Sequence, residues 1–77
     1  MHILKENISK IHTTILGKKR IQDNLNLHEN VIEYCQKAII ESNDIKRIGK
    51  NYYVNYLDGI ITINAYSFTI ITAHKNR

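Results

Sequence analysis

Proline and tryptophan are absent from this chain, cysteine and methionine occur once each, and glycine occurs three times. The single cysteine, Cys35, has no partner for an internal disulfide, and with four histidines but no second cysteine a cysteine-based zinc site is disfavoured. The three glycines are too scattered to cradle a phosphate, and no His-Glu-x-x-His zinc helix or serine nucleophile elbow occurs. No metal or cofactor is expected. No apolar run exceeds three residues, far below the roughly 20 that span a bilayer. The start, Met1-His2-Ile3-Leu4-Lys5-Glu6, lacks the continuous apolar stretch of a secretory signal. A cytoplasmic setting without a membrane partner follows as the expectation, and one free thiol agrees with a reducing compartment.

At 77 residues the chain is one domain, 1–77, too short for a dinucleotide-binding fold or an α/β barrel. A domain of this size buries only about 60% of its unfolded surface. The 43% hydrophobic content must therefore supply the core. Isoleucine, asparagine and lysine are abundant, a bias that points to an AT-rich coding sequence and not to an activity.

The net charge of +4 is unevenly spread. Residues 1–20 carry five basic and one acidic side chain, residues 21–44 one basic and five acidic, and residues 45–77 five basic and one acidic. The acidic share falls on one expected helix, so a polyanion site belongs on the sheet side, near Arg47 and Lys50.

Leu4, Ile8, Ile11 and Ile15 recur at helical spacing and predict a first helix closed by Gly17, with Lys18 and Lys19 favouring its negative end; Ile21 and Leu25, four apart, give a short second turn or helix at 19–25. Asn26-Leu27-His28-Glu29 has the form of a capping box and opens a second helix, 27–42, with Cys35 in its apolar stripe. From Ile45 the period becomes two. Strands are predicted at Ile45–Ile48, Tyr52–Leu57, Ile60–Asn64 and Phe68–His74, with Asp58-Gly59 as a two-residue hairpin turn. That turn pairs Val54 with Ile63 and Tyr56 with Ile61. It sets Tyr52, Val54, Tyr56, Ile61, Ile63 and Ala65 on an apolar face toward the helices, and Tyr53, Asn55, Leu57, Ile60, Thr62 and Asn64 on an open face. Periodicity leaves the core face of the last strand undecided. The fold class is α+β: two N-terminal helices on one face of a four-stranded antiparallel meander.

Candidate chemistry lies in basic, aromatic and imidazole groups. Along Ile45–Tyr53, Arg47 and Lys50 can neutralise phosphate and Tyr53 can stack a base, as RNA binding requires. The same stretch also fits a soluble strand with its charges outward. His12 borders the first apolar stripe, either as a structural residue or as a general acid–base. Thr72 and His74 share a strand face and could bind and protonate a phosphodiester, or fray in water. A ribonuclease that needs no metal requires a base for the ribose 2′-hydroxyl, an acid for the leaving oxygen and cations for the transition state. His12, Arg47, Lys50, Thr72 and His74 are its catalytic candidates. Arg20, Lys46, Tyr53 and Lys75 are the candidates for further nucleic-acid contact. His2 and His28 read as surface residues and Cys35 as core.

The element order resembles the RelE/BrnT side of the barnase-EndoU-colicin-RelE group of small nucleases. That resemblance implies a small, basic, metal-free toxin with a histidine on an early helix (His12), basic residues on the first strands (Arg47, Lys50) and a late Thr or His (Thr72, His74). More closely, three strings are similar to a short bacterial and phage family catalogued as a domain of unknown function. They are His12-Thr13-Thr14-x-x-Gly17-x-x-Arg20-Ile21, Arg47-x-Gly49-Lys50-Asn51-Tyr52-Tyr53 and Thr69-Ile70-Ile71-Thr72-Ala73-His74-Lys75.

The first functional expectation is an RNA-directed, toxin-like protein, either a metal-independent endoribonuclease or an RNA binder of that fold. The alternative is a non-enzymatic interaction protein, such as a phage-borne inhibitor or a nucleotide-binding module using the open face. The partners in view are RNA or a nucleotide, a protein (an antitoxin or an inhibited target), or a second copy that buries Leu57 and Ile60.

Overall fold

The computed structural model describes residues 3–75, so the surface position expected of His2 lies outside the described residues. The chain opens with α1 (Ile3–Glu6) and a 3-10 turn (Ile8–Lys10), which bring Leu4 into the core. Here the helical stripe breaks. Ile11 is extended, His12 N–H donates to the Phe68 carbonyl, and the His12 carbonyl accepts from Ile70 N–H at 2.7 Å. Thr13 Oγ1 donates to the Ile70 carbonyl at 3.0 Å. Bonds to a distant sheet edge replace a helical turn, so Leu4 and Ile11 are buried while Ile15 is 89% exposed.

A second helix, α2 (Ile15–Leu25), starts immediately after this break and takes in the short turn or helix expected at 19–25, so that among the described residues three α-helices stand where two main helices were expected. Thr14 is its N-cap, accepting from Gly17 N–H at 3.0 Å. Gly17, Lys18 and Lys19 therefore begin this helix instead of ending an earlier one. Asn26, expected as an N-cap, closes α2 in the left-handed region at φ 54°. The cap of α3 (Val31–Glu41) is Asn30, whose Oδ1 accepts from Glu33 N–H at 3.1 Å. Asn30-x-x-Glu33 repeats the spacing of Asn26-x-x-Glu29, one turn later. Helix α3 buries Val31, Cys35, Ala38 and Ile39. At its end Ser42 Oγ donates to the Asn55 carbonyl at 2.6 Å and accepts from Asp44 N–H, fixing the helix to the sheet.

The sheet is an antiparallel meander in the order β1 (Asp44–Ile48), β2 (Asn51–Tyr56), β3 (Gly59–Asn64) and β4 (Ile70–Lys75). Its helix-side face carries Tyr52, Val54, Ile61, Ile63, Ile70 and Ala73, all buried with Leu4, Ile21 and the α3 stripe. Each large aliphatic side chain buried in this way contributes roughly 1.5–3 kcal/mol.

The apolar face is as expected, but the register is two residues off. Val54 pairs with Ile61 and Tyr56 with Gly59, so the turn residues are Leu57 and Asp58, with Leu57 at φ 54°. Leu57 therefore sits in the turn and not on the open face. Gly59 serves close packing: a Cβ there would lie 3.2 Å from the His74 carbonyl oxygen and 3.6 Å from Leu25. A register irregularity between Thr62 and Ile63, opposite Thr72 and Ile70, leaves Ile71 unpaired. That bulge puts Ile70 and Ala73 on the same face and explains why strict alternation could not assign β4.

The two sheet edges differ. Beyond β4 lie His12, Thr13 and α2, and Asn24 Nδ2 donates to the Ala73 carbonyl at 3.1 Å. Among the described residues no strand pairs with β1 on its outer side, and every residue of β1 except Ile45 is exposed. Among the described residues no helix is long and apolar enough to cross a membrane.

Candidate functional site

The β3–β4 loop, residues 65–69, stands at the end of the sheet where the β1–β2 turn also lies. Asn64 organises it. Asn64 Oδ1 accepts from Tyr66 N–H and Ser67 N–H, both at 2.9 Å, and from Ser67 Oγ at 3.2 Å. The Asn64 carbonyl accepts from Phe68 N–H, and Phe68 adopts φ 60°, a left-handed conformation that costs a bulky residue energy.

On one side of this loop His12 is clamped by its bridge to Thr69. Its ring makes two hydrogen bonds, Nδ1 with the Lys10 carbonyl at 2.9 Å and Nε2 with Thr69 Oγ1 at 3.0 Å. A carbonyl only accepts, so Nδ1 carries the proton and, in the neutral ring, Nε2 accepts from the Thr69 hydroxyl. Thr69 Oγ1 lies 2.8 Å from Ser67 Oγ; with the Thr69 proton on His12, the single Ser67 proton serves either Thr69 Oγ1 or the longer 3.2 Å contact to Asn64 Oδ1, and donation to Thr69 makes a chain from Ser67 through Thr69 to His12. An imidazole oriented by a carbonyl and bonded to a hydroxyl is the arrangement that lets histidine take a proton from an alcohol.

On the other side stands Arg47. Its Nε donates to the Gly49 carbonyl at 2.8 Å and its Nη2 to Tyr66 Oη at 3.2 Å. The guanidinium lies 5.4 Å from the Tyr52 ring centre and 5.3 Å from that of Tyr66. The exposed Lys50 closes the β1–β2 turn, and its carbonyl accepts from Ala65 N–H. Lys10 Nζ lies 6.0 Å from the Phe68 ring centre. His12 and Arg47 are thus joined through one loop, with Lys10 and Lys50 beside it.

Charge is segregated along the sheet. At the opposite end Tyr56 Oη donates to Glu41 Oε1 at 2.6 Å, and this bond, with some desolvation, pushes the Tyr56 hydroxyl up to about 12. Tyr34, edge-on to Tyr56 at 6.0 Å, is also raised, first by burial and then by the nearby Cys35, Asp58 and Glu29. Glu41 and Asp58 lie at that end together with Lys75, whereas Arg47, Lys50 and Lys10 lie at the loop end with no carboxylate bonded to them among the described contacts.

The other sequence candidates lie elsewhere. Thr72 and His74 pair with Thr62 and Ile60 on the face away from the helices, with His74 toward the acidic end and Lys75 beside Gly59. Lys46 pairs with Tyr53 on the same open face, where Tyr53 is half-buried. Arg20 is exposed on α2. Of the catalytic candidates, the loop gathers His12, Arg47 and Lys50 and leaves out Thr72 and His74. Sequence reasoning missed Asn64, Tyr66, Ser67 and Thr69. An Asn followed two and three residues later by donors in a turn was the available signal. No group of three or more His, Cys, Asp or Glu side chains able to hold a metal occurs among the described residues.

A family model described as "Protein of unknown function (DUF3781)" matches residues 5–74. No curated protein and no solved structure matches.

Proposed function

The chain belongs to the DUF3781 family of proteins of unknown function, and we propose for it an RNA-directed activity, cleavage of a phosphodiester by acid–base chemistry at the β3–β4 loop. The observation that carries this reading is that the His12–Thr69–Ser67 chain and Arg47, bonded to Tyr66, meet on the same loop. In the reaction the ribose 2′-hydroxyl gives its proton to Thr69 Oγ1 as the Thr69 proton passes to His12 Nε2. The 2′-oxygen bonds to phosphorus and the bond to the 5′-oxygen breaks. That oxygen takes a proton from a water molecule at the exposed His12, and the His12 imidazolium returns its proton to that water, which restores the neutral ring. The products are a 2′,3′-cyclic phosphate and a free 5′-hydroxyl. Arg47, Lys50 and Lys10 offset the charge that develops on the phosphate oxygens.

The order of elements, helices and then a four-stranded antiparallel meander, supports kinship with RelE/BrnT-like nucleases and a toxin-like role. The test is incubation of the purified protein with total RNA in the presence of a chelator. Cleavage that is lost in His12→Ala supports the reading, and intact RNA with the wild-type protein refutes it. A second reading, a non-enzymatic docking protein using the open face, rests on Ile48, 63% exposed at the free β1 edge. Capture of one stoichiometric protein partner by a molecule that leaves RNA intact would favour it.

A further inference from the structure

Among the described residues Tyr66 is the one tyrosine or phenylalanine that stands mostly in solvent, 74% exposed, yet it is held at both ends. Its amide is fixed by Asn64 Oδ1 and its hydroxyl by Arg47 Nη2. A mobile surface tyrosine pays rotamer entropy on binding, whereas this ring is already ordered. Arg47 is equally prepared. Two of its N–H groups are spent on Gly49 and Tyr66, which leaves three of the five a guanidinium carries for a ligand. Tyr52, whose ring centre is 5.4 Å from the guanidinium, is 4% exposed, so Arg47 also touches a residue of the core.

An ordered, solvent-facing ring backed by a cation with spare donors matches one kind of ligand, a flat base joined to an anionic group. We propose that Tyr66, Arg47 and Tyr52 form a nucleobase subsite that selects single-stranded RNA. One unpaired base stacks on Tyr66, and the phosphate beside it accepts hydrogen bonds from Arg47. The RNA in this statement rests on the function proposed above; the stacking subsite rests on Tyr66 and Arg47 alone. Thr69 lies three residues beyond Tyr66 in the same loop, so the base would be held next to the His12 hydroxyl chain. Duplex RNA is excluded by chemistry, because paired bases are stacked on each other and duplex binders read phosphates and 2′-hydroxyls instead.

The test is fluorescence anisotropy with a labelled 2′-O-methyl oligoadenylate of about ten nucleotides, which resists cleavage through the 2′-oxygen. A blunt 2′-O-methyl duplex of equal length is measured in parallel. The wild-type protein binds the single strand in preference to the duplex. Tyr66→Ala weakens single-strand binding by about 5- to 150-fold, the range expected for one stacked base. Tyr66→Phe, which keeps the ring, stays nearer the wild type, and Arg47→Lys, which keeps the charge but loses the planar fork, falls below it. Thermal melting of each variant shows that the fold persists. Equal binding of strand and duplex, or full affinity in Tyr66→Ala, overturns the subsite and leaves the cleavage reading standing. Tight Tyr66-dependent binding without cleavage of total RNA has the reverse meaning. No binding of either oligonucleotide by the wild type overturns the subsite outright.

Discussion

The Thr69 hydroxyl lies 3.0 Å from His12 Nε2 although 57 positions separate the two residues in sequence. In the proposed cleavage they act as a unit, so their losses should not multiply. Thr69→Val keeps the side-chain shape and removes the hydroxyl. It and His12→Ala should each lower the cleavage rate by about 10²–10⁴-fold, and the double variant should fall no further than the lower single. Quantifying the cyclic-phosphate product checks this; a double variant reduced by the product of both factors would separate their roles.

Gly17→Ala should destabilise the protein even though alanine is the better helix former by about 1 kcal/mol. The new Cβ would lie 2.6 Å from Thr13 Oγ1 and 3.1 Å from Thr14 Oγ1. Thr13 donates to Ile70 and Thr14 caps α2, so neither can give way without losing a hydrogen bond. The expected net cost is about 1 kcal/mol by urea unfolding. Adding Thr13→Ala should make the alanine at 17 less costly, because the closest clash is gone.

The two asparagines that bracket the α2–α3 connection should respond in opposite ways. Asn30→Ala removes a cap and should cost about 1 kcal/mol. Asn26→Gly relieves a left-handed residue at φ 54° and should be neutral or stabilising by up to about 1 kcal/mol. Urea midpoints of the two variants decide it. A loss of stability in Asn26→Gly larger than in Asn30→Ala would contradict the cap positions.

Burial pushes the Cys35 thiol up to about 12, and its side chain lies in the core. Thiolate is the reactive form, so iodoacetamide should leave the folded protein unmodified at neutral pH and label it rapidly in urea. Mass spectrometry across the unfolding transition would follow both. Rapid labelling in native buffer would show that the α3 side of the core opens.

The Tyr56 hydroxyl is held up to about 12 against an ordinary value of 10.0, so the unfolded chain releases this proton first as pH rises. The contribution of the bond to Glu41 is complete below pH 10 and is lost as pH climbs toward 12. Glu41→Gln removes the charged acceptor and should flatten that part of the pH–stability profile. An unchanged alkaline slope would show that Glu41 does not set it.

The sheet was legible in the sequence because its side chains alternate. Tyr52, Val54, Ile61 and Ile63 were assigned to the correct face even though the register is two residues off, since a shift of two preserves alternation. The shift itself was invisible: Gly59 looks like a turn residue, and its reason is contact with His74 and Leu25 from other parts of the chain. The same holds for the broken first helix. Leu4, Ile8, Ile11 and Ile15 keep helical spacing, and only the pairing of His12 with the segment around Thr69 interrupts it. At the site, His12 and Arg47 could be singled out by residue type. Ser67 and Thr69 could not, because a hydroxyl signals nothing until the fold sets an imidazole beside it.

The unprotected edge at β1 has a consequence for self-association. Two copies pairing antiparallel through β1 about a twofold axis normal to the sheet can keep their buried faces aligned only in registers that match like-facing residues. The register that overlaps all five residues of β1 sets Lys46 directly opposite its own copy, with Asp44 facing Ile48. Two ammonium groups in that position repel each other. The strand that leaves its backbone open therefore also carries, at its centre, the charge that discourages ribbons of this molecule from growing edge to edge.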